Sequence, residues 1–411
     1  MQYGVVLYDD DSWQKDYDNN HFVYVTHDEF VLDTQRTARV RALTFNFASP
    51  SPILALPVEV CRWTTLSVLS ISGTRMSQLP AEIANLVSLR KVVIWGDQFS
   101  SFPTELCNLR ALESLEISHT QISTMPPEIS KLTRLEELLL RRNRLNAIPR
   151  EIEGCCNLQF LCVIGNQLCA LPPALGRLNA LTCLDVKVNK LTTLPLEIGN
   201  LSNLQTLRLG DNRITTLQWI STNLRRLCHL QLDDNPLGEL SAELWLLTGL
   251  KMLCCVNTGI DALPREVGLL TSLQLLNVNR NTITTLPVEL VCLTRLESLR
   301  VESNQLATLP VQLCGLPKLV NLCACGNPFL FLPYQFEQLQ KRIGTEPPFS
   351  FGEQFGWLNS NAPFFDVTML KHADLWTSVL DHDTHKMVCD FVAPPFLPPP
   401  PPPNYRLEDV D

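Results

Sequence analysis

The chain has 411 residues, of which 45% are hydrophobic, and its formal net charge at pH 7 is −9. This acidic balance argues against general nucleic-acid binding, which requires a basic surface. No stretch approaches the roughly 18 apolar residues of a membrane-spanning helix, and the N-terminus lacks the basic start of a secretory signal. We therefore expect a soluble protein of the cytoplasm or the nucleus, with no membrane span.

Residues 1–55 are predicted to form an N-terminal flank that contains a small β cap. Two alternating apolar runs, residues 4–8 and 22–25, are separated by an acidic loop, and Leu43 and Phe45 alternate into the following segment. Alternation with a period of two is typical of β-strands. A cap of this kind protects the open end of a repeat array.

A 23-residue period runs through the centre of the chain. Prolines recur at multiples of 23 residues: Pro57, Pro80, Pro103, Pro126, Pro149, Pro172, Pro195, Pro264, Pro287, Pro310 and Pro333. Gln218 and Ser241 occupy the two missing positions in register, so twelve units run to Pro333 without an insertion. Repeats of about 20 to 50 residues stack into a solenoid, because each unit buries its apolar face mainly against its neighbours.

Each unit contains a predicted short strand. With the proline anchor as position 0, Leu occupies position 9 in all twelve units, and apolar residues follow at positions 12 and 14, as in Leu115 and Ile117. Burial of alternate residues predicts a strand. Position 17 is Asn in eight units and Thr or Asp in four. We expect this polar residue to bond turn backbone, because burying it unpaired costs about 1 to 3 kcal/mol.

The other half of each unit is predicted to be a short helix. Proline suits the first helical position, where its missing N–H would be unpaired anyway. Glu follows two residues later in nine units, as at Glu128, where a carboxylate meets the positive end of the helix dipole, so we interpret it as structural. Because strands stack about 4.8 Å apart and helices about 8 to 10 Å apart, the stack has to curve. The expected fold class is an α/β horseshoe solenoid with a concave parallel sheet and short convex helices.

Written out, the unit LPxEIxxLxxLxxLxLxxNxLxx resembles the leucine-rich repeat over residues 56–333. Its LPxEI start and its length are similar to the Ras group, which includes plant intracellular Ras-group proteins, the animal Ras-pathway scaffold, and the repeat domains of Erbin and Scribble. The resemblance implies protein binding in signalling, with a small GTPase or another signalling protein as the partner. The shared residues belong to the scaffold and do not identify that partner.

The chain has fifteen cysteines, and fourteen of them are distributed over the repeat positions. Two sets recur at equivalent positions, one helical and one in the strand: Cys61, Cys107 and Cys314, and Cys162, Cys254 and Cys323. An odd number of dispersed cysteines favours reduced thiols over disulfides, in agreement with a cytoplasmic or nuclear protein. Zinc is the weaker interpretation, because the close cysteine pairs lack partners at zinc-site spacing.

Positions 11, 13 and 15 of each strand point away from the core and are free of the repeat pattern. Apolar and arginine side chains at such positions are typical of protein interfaces. The predicted partner-binding residues are Trp95, Glu116, Leu139, Arg141, Phe160, Ile164, Lys187, Arg208, Asp233, Asn279, Arg300 and Glu302. The alternative is that the apolar members pack only against one another or against a flank.

Basic residues form a predicted stripe in units four to seven: Arg141, Arg142, Arg144, Lys187, Lys190, Arg208 and Arg213. Such a stripe would attract an acidic partner. Alternatively, acidic residues between these basic ones only neutralise the stripe: Asp185, Asp211, Asp233 and Asp234. The string Lys91–Trp95 matches a phosphatase-docking pattern, but an internal strand cannot add to another sheet edge.

Unit eight departs from the repeat. Gln218 replaces the proline, Ile220 replaces the glutamate, and the register places Trp219 in an exposed position. We expect a local change of helix shape. It marks either a binding or bending point or a repeat that has drifted from the pattern.

Residues 334–393 are predicted to form a C-terminal cap and flank. Phe336, Leu339 and Ile343 close the solenoid, and a helix is expected near residues 367–380. Two loose sets of metal-ligand types occur, one in each flank: Asp16, Asp18 and Asn20, and His372, Asp381, His382, Asp383, His385 and Cys389. Neither has a recognised spacing, so we predict no metal and no cofactor.

Residues 394–411 form a proline-rich tail. Six consecutive prolines, residues 398–403, exclude helix and sheet and predict an exposed polyproline helix. Pro402, Pro403 and Tyr405 complete a PPxY string, which the aromatic groove of a class I WW domain recognises. Profilin and SH3 domains are the alternative partners of the tail.

Two classes of function fit this sequence. The first is a non-enzymatic adaptor that binds one protein on the concave face while the tail recruits another. The second is a substrate-recognition arm of an enzyme complex, for example a ubiquitin ligase. The segment after Glu346 is short for a catalytic domain and shows no set of nucleophile, base and orienting group. The adaptor is therefore favoured.

Overall fold

The computed structural model describes residues 2–8, 23–26, 41–46, 54–96, 98–220, 223–329, 332–333 and 335–343. The chain divides into two compact units, Met1–Gly352 and Glu353–Asp411, and every described residue belongs to the first. Several sequence predictions lie outside the described residues: both loose sets of metal-ligand types, the helix near residues 367–380, and the proline tail with its PPxY string.

Fifteen strands of the described chain form one sheet. They are β1 (Gln2–Tyr8), β2 (Val23–Thr26), β3 (Ala42–Asn46), β4 (Val68–Ser72), β5 (Lys91–Trp95), β6 (Ser114–Ser118), β7 (Glu137–Leu139), β8 (Phe160–Cys162), β9 (Cys183–Asp185), β10 (Thr206–Arg208), β11 (His229–Gln231), β12 (Met252–Cys254), β13 (Leu275–Asn277), β14 (Ser298–Arg300) and β15 (Asn321–Cys323). Each repeat unit contributes one strand, from β4 to β15. The sheet is parallel from β3 to β15, and β1 pairs antiparallel with both β2 and β3.

The leucine positions of the repeat form a continuous core. All twelve leucines at position 9 are at most 2% exposed, and Leu115 and Ile117 show the same complete burial at positions 12 and 14. Each buried leucine contributes about 1.5 to 3 kcal/mol of hydrophobic stabilisation. Core residues of one unit lie directly on those of the next, because Leu115 pairs with Leu138 in register. The horseshoe solenoid predicted from the repeat is confirmed.

Asparagines at position 17 connect the units through their side-chain amides. Asn166 Nδ2 donates to the carbonyls of Leu140 at 2.8 Å and Val163 at 2.9 Å, and its Oδ1 accepts from the N–H of Leu145 at 3.0 Å. The equivalent three contacts recur at Asn189, Asn212, Asn235, Asn281, Asn304 and Asn327. The predicted bonding of this polar residue to turn backbone is confirmed.

The convex segments are 3-10 helices of five residues, which is shorter than most α-helices. Eleven lie in the described chain: Val58–Arg62, Ala81–Asn85, Thr104–Asn108, Pro127–Lys131, Arg150–Gly154, Pro173–Arg177, Leu196–Asn200, Ala242–Leu246, Arg265–Leu269, Val288–Cys292 and Val311–Gly315. The sequence predicted proline at the first helical position, but the proline anchor lies one residue before the helix, so this prediction was wrong. Pro80 has an extended backbone, and its carbonyl accepts the N–H of Ile83 at 3.1 Å, which is the first hydrogen bond of the helix. Proline is suited to this position because the residue before the helix needs a carbonyl acceptor but no backbone N–H.

Position 16 adopts a left-handed conformation in every unit. Four units have glycine there, Gly73, Gly96, Gly165 and Gly326, and the other eight have His119, Arg142, Val188, Asp211, Asp234, Asn257, Arg280 and Ser303. The turn follows each strand and, in the eight units with Asn at position 17, brings that Asn back toward the core. Its sequence signal is the recurrence of Gly, Asp and Asn at this position.

Unit eight corrects one sequence prediction. Trp219 is 1% exposed, so the prediction that it is exposed was wrong, and Ile220 is also buried. No 3-10 helix occurs among the described residues of this unit. Position 3 explains the change: the other eleven units have Ile, Leu or Val there, but this unit has Ser221. Because serine cannot supply the apolar volume, the two preceding apolar residues fill the core instead.

An α-helix follows the last unit, α1 (Gln335–Ile343). Phe336 and Leu339 are buried against the core, and Arg342 Nη2 donates to the carbonyl of Leu316 at 2.9 Å. The helix therefore covers the apolar end of unit twelve, as the sequence predicted for Phe336 and Leu339. No helix in the described ranges is long and apolar enough to cross a bilayer.

Candidate functional site

The parallel register arranges the concave side chains in rows across the sheet. Leu139 at position 13 of β7 pairs with Cys162 at position 13 of β8, and the other repeat strands align in the same way. The intervening side chains, such as Leu138 and Leu140, are buried in the core. All twelve predicted partner-binding residues reach the surface: Trp95 is exposed and the other eleven are half-buried.

An aromatic pair lies in the N-terminal part of this face. The indole ring of Trp95 is 47% exposed, and its centroid lies 4.7 Å from that of the His119 ring, with the ring planes tilted by 47°. Partial burial lowers the pKa of His119, and the nearby Arg142 lowers it further. The imidazole is therefore neutral at pH 7, so the pair presents an uncharged aromatic surface.

Half-buried apolar side chains continue the face into units four and five. Leu139 lies on β7, Phe160 begins β8, and Ile164 follows β8. Arg141 lies beside them, and its Nε donates to Cys162 Sγ at 3.3 Å. Burial raises the pKa of Cys162, so the sulfur is a neutral thiol at pH 7. The structure thus brings the predicted apolar residues and one arginine together on adjacent strands.

Charges of both signs occupy the middle of the face. Asp185 is 2% exposed; its Oδ2 lies 3.5 Å from Arg208 Nη1, and its Oδ1 accepts the N–H of Lys187 at 3.2 Å. Burial raises the pKa of Asp185. Asp233 accepts from Gln231 Nε2 at 2.8 Å, and burial raises its pKa too. The pairing of Arg208 with Asp185 means that the predicted basic stripe is balanced at this point.

Three further predicted residues, Glu116, Asn279 and Glu302, form hydrogen bonds with neighbouring side chains. Glu116 accepts from Ser118 Oγ at 3.1 Å. In units ten and eleven, Asn279 Nδ2 donates to Glu302 Oε2 at 2.7 Å, and Asn279 Oδ1 accepts the N–H of Glu302 at 2.8 Å. Because these side chains hold one another in place, the face presents fixed donors and acceptors.

The concave face holds a hydroxyl and an imidazole within hydrogen-bond distance of each other. Thr206 Oγ1 lies 3.3 Å from His229 Nδ1, but no carboxylate among the described residues bonds the other ring nitrogen, so no catalytic triad is present there. Burial raises the pKa of the Cys107 thiol to about 12, with a further contribution from Glu128, so this thiol is unreactive. No cluster of His, Cys, Asp and Glu in the described segments is arranged to hold a metal ion.

A depression that the sequence reading missed lies beside the turns of units eight and nine. Its volume is about 500 Å³, and it is lined by Asp234, Asn235, Pro236, Gly238, Asn257, Thr258 and Gly259. Asn257 Nδ2 donates to Asp234 Oδ1 at 2.8 Å across its lining. Gly238 and Gly259 have positive φ, and the sequence signal for this feature is the pair of additional glycines in neighbouring turns.

The same architecture occurs in proteins of known structure. A leucine-rich repeat protein of Leptospira interrogans is 32% identical, with a TM-score of 0.67, and the match covers 71% of this chain and 74% of that chain. An internalin of Listeria monocytogenes is 22% identical, with a TM-score of 0.65 and coverage of 78% and 88%. The plant peptide hormone receptor RGFR1, solved in complex with RGF2, is 22% identical, with a TM-score of 0.57 and coverage of 74% and 58%.

Sequence comparison gives the same result over a shorter span. The family described as Leucine rich repeat matches residues 248–306. No curated protein sequence matches the chain significantly. With 32% identity over most of the Leptospira protein and the same solenoid fold, this chain belongs to the leucine-rich repeat family, whose members are generally non-enzymatic modules of protein interaction.

Proposed function

We propose that this protein is a non-enzymatic interaction scaffold or adaptor that binds a protein partner on its concave face. The observation that carries the proposal is the accessible apolar side chains on that face, led by Trp95 at 47% exposure. Leu139 on β7, Phe160 on β8 and Ile164 just after β8 are half-buried on the same face. Large aromatic side chains flanked by arginine are the residue types that contribute most to binding energy at protein interfaces.

The rigidity of the face supports this use. Strand β8 is hydrogen-bonded to β7 on one side and to β9 on the other, so its side chains project from a fixed backbone. Binding to such a surface loses little conformational entropy. Twelve repeat strands about 4.8 Å apart extend over roughly 50 Å, which is ample for the ~800 Å² that a stable interface buries on each partner.

The proteins of similar structure share the solenoid fold, and one of them was solved with a bound ligand. RGFR1, which shares the solenoid, is solved in complex with RGF2. For the present chain, the similarity of the LPxEI repeat to the Ras group supports a small GTPase or another signalling protein as the partner. Fourteen cysteines of the described chain are free thiols, which supports a location in the cytoplasm or the nucleus.

The proline tail provides a second proposed attachment point. Pro402, Pro403 and Tyr405 fit the groove of a WW domain, with profilin and SH3 domains as alternatives. A concave partner and a tail partner bound at the same time would make the protein an adaptor in intracellular signalling.

Affinity purification of the full chain from its native cells tests this proposal. Trp95→Ala combined with Phe160→Ala should remove the concave partner and keep the tail partner, and deletion of residues 394–411 should do the reverse. Val87→Ala is the matched control, because Val87 is 67% exposed but lies outside the concave rows. If both variants retained every partner, the adaptor proposal would be wrong. Recovery of a stoichiometric ligase or another enzyme would favour the substrate-recognition alternative.

A further inference from the structure

The concave face carries three arginines, and one of them has an unpaired side chain. Arg141 donates to Cys162 Sγ at 3.3 Å, and Arg208 pairs with Asp185 at 3.5 Å. The Arg300 side chain makes no hydrogen bond or ion pair within the described part of the chain, although its Nε is buried. A buried charged donor without a partner is costly, so a ligand that supplied an acceptor here would be bound favourably.

The neighbours of Arg300 offer donors and few acceptors. Asn277 pairs with Arg300 across the strands, and its Oδ1 accepts the N–H of Asn279 at 3.2 Å, which leaves the Asn277 amide nitrogen to donate. Asn321 Oδ1 accepts from the Cys323 thiol at 3.0 Å, so the amide nitrogen of Asn321 is also left to donate. Ser298 Oγ, two residues before Arg300 on the same face, is buried and has no partner among the described residues.

The nearest acid on this face is already engaged. Glu302 lies two residues after Arg300, but its Oε2 accepts from Asn279 at 2.7 Å and its Oε1 accepts from the Cys325 thiol at 2.9 Å. One free guanidinium beside one fixed carboxylate suits a singly charged ligand. A phosphate dianion would be repelled by Glu302 and would need more than one cation.

We propose that Arg300, assisted by Asn277, Ser298 and Asn321, binds an Asp or Glu side chain of the protein partner. The inference rests on the proposed function, because it assigns partner chemistry to the same face. A planar guanidinium can hold a carboxylate through two parallel hydrogen bonds, which fixes the orientation of the bound segment. Arg300 lies six strands from Phe160, about 29 Å away, so an extended segment of about nine residues reaches both.

Selection of random peptides about 16 residues long on the full chain provides a defined probe, since this length spans both contact points. We expect the peptides that lose binding to Phe160→Ala to contain an Asp or Glu. Changing that acid to its amide should weaken binding to the wild type about ten- to a hundred-fold. The same change should weaken binding to Arg300→Gln less than about two-fold, because the two substitutions remove one interaction.

Two further variants exclude trivial explanations. Arg295→Gln removes an exposed charge outside the concave rows and should leave the sensitivity to the acid unchanged. Arg300→Lys keeps the charge without the planar fork and should give an intermediate loss. The unfolding temperature of Arg300→Gln should equal or exceed that of the wild type, because the side chain makes no hydrogen bond or ion pair among the described residues and its Nε is buried without a partner. A marked fall in unfolding temperature would instead assign Arg300 a structural role and overturn the inference.

The remaining outcomes separate the two proposals. Suppose that peptides dependent on Phe160 are selected, but changing their acid to an amide weakens binding equally to the wild type and to Arg300→Gln. The inference is then overturned and the proposed function stands. If no selected peptide depends on any concave residue, the proposed function fails, and the inference fails with it.

Discussion

At the residue scale, position 16 decides how each strand leaves the sheet. Twelve consecutive units place this residue at a φ between 50° and 73°, although only four of them use glycine. Asp234 and Asn257 tolerate the left-handed region because their short polar side chains bond locally. Val188 has no such compensation, since a β-branched side chain is strained there.

Val188→Asn is therefore expected to stabilise the protein by roughly 0.5 to 1 kcal/mol, measured as the free energy of unfolding in urea. The side chain of Val188 is 48% exposed, so little hydrophobic burial is lost, and the backbone N–H keeps its 2.9 Å bond to Gly210. Val87→Asn, at an exposed position outside the positive-φ set, should change stability little. Equal effects of the two substitutions would contradict the strain argument.

At the element scale, the 3-10 helices pack more closely than the predicted helices would. A Cβ added at Gly176 would overlap the carbonyl oxygen of Glu197 in the next unit. The backbones of neighbouring 3-10 helices are thus in direct contact at this point. Unit eight shows how far this element can vary, because it buries Trp219 and Ile220 in place of the usual helix residue.

Gly176→Ala should destabilise the protein by about 1 to 3 kcal/mol, because two units have to separate to admit the methyl group. Gly315→Ala serves as the control, since its added Cβ meets nothing within 4 Å and should cause little change. Thermal and denaturant unfolding of both variants would measure the difference. A Gly176→Ala protein as stable as the control would show that the convex side relaxes freely.

At the scale of the whole molecule, the solenoid has one long core and two ends. Each unit contacts mainly the preceding and following units, so a defect at one end should stay local. Helix α1 covers the C-terminal end through Phe336 and Leu339, and β3 continues the sheet beyond β4 at the other end. The concave face extends between these two covered ends.

Phe336→Ala is expected to loosen the C-terminal units selectively. Removing a buried phenylalanine costs about 3 to 5 kcal/mol where the side chain packs, and neighbouring units share that loss only weakly. Hydrogen exchange followed by mass spectrometry should show faster exchange in β14 and β15 and unchanged rates in β5 to β8. Uniform acceleration along the sheet would indicate that the solenoid unfolds as a single cooperative body.

The repeat spacing alone determined the strand positions, the buried leucines and the hydrogen-bonded Asn at position 17, because these features depend on contacts that recur every 23 residues. It also identified which side chains would line the concave face. Only the tertiary structure decided the details that depend on the neighbouring unit. Trp219 is buried although the repeat register predicted it to be exposed, and Glu302 bonds Asn279 and Cys325, which leaves Arg300 unpaired. The physical reason is that a sequence pattern specifies which face a side chain occupies, whereas its partners come from adjacent strands whose packing is fixed only in three dimensions.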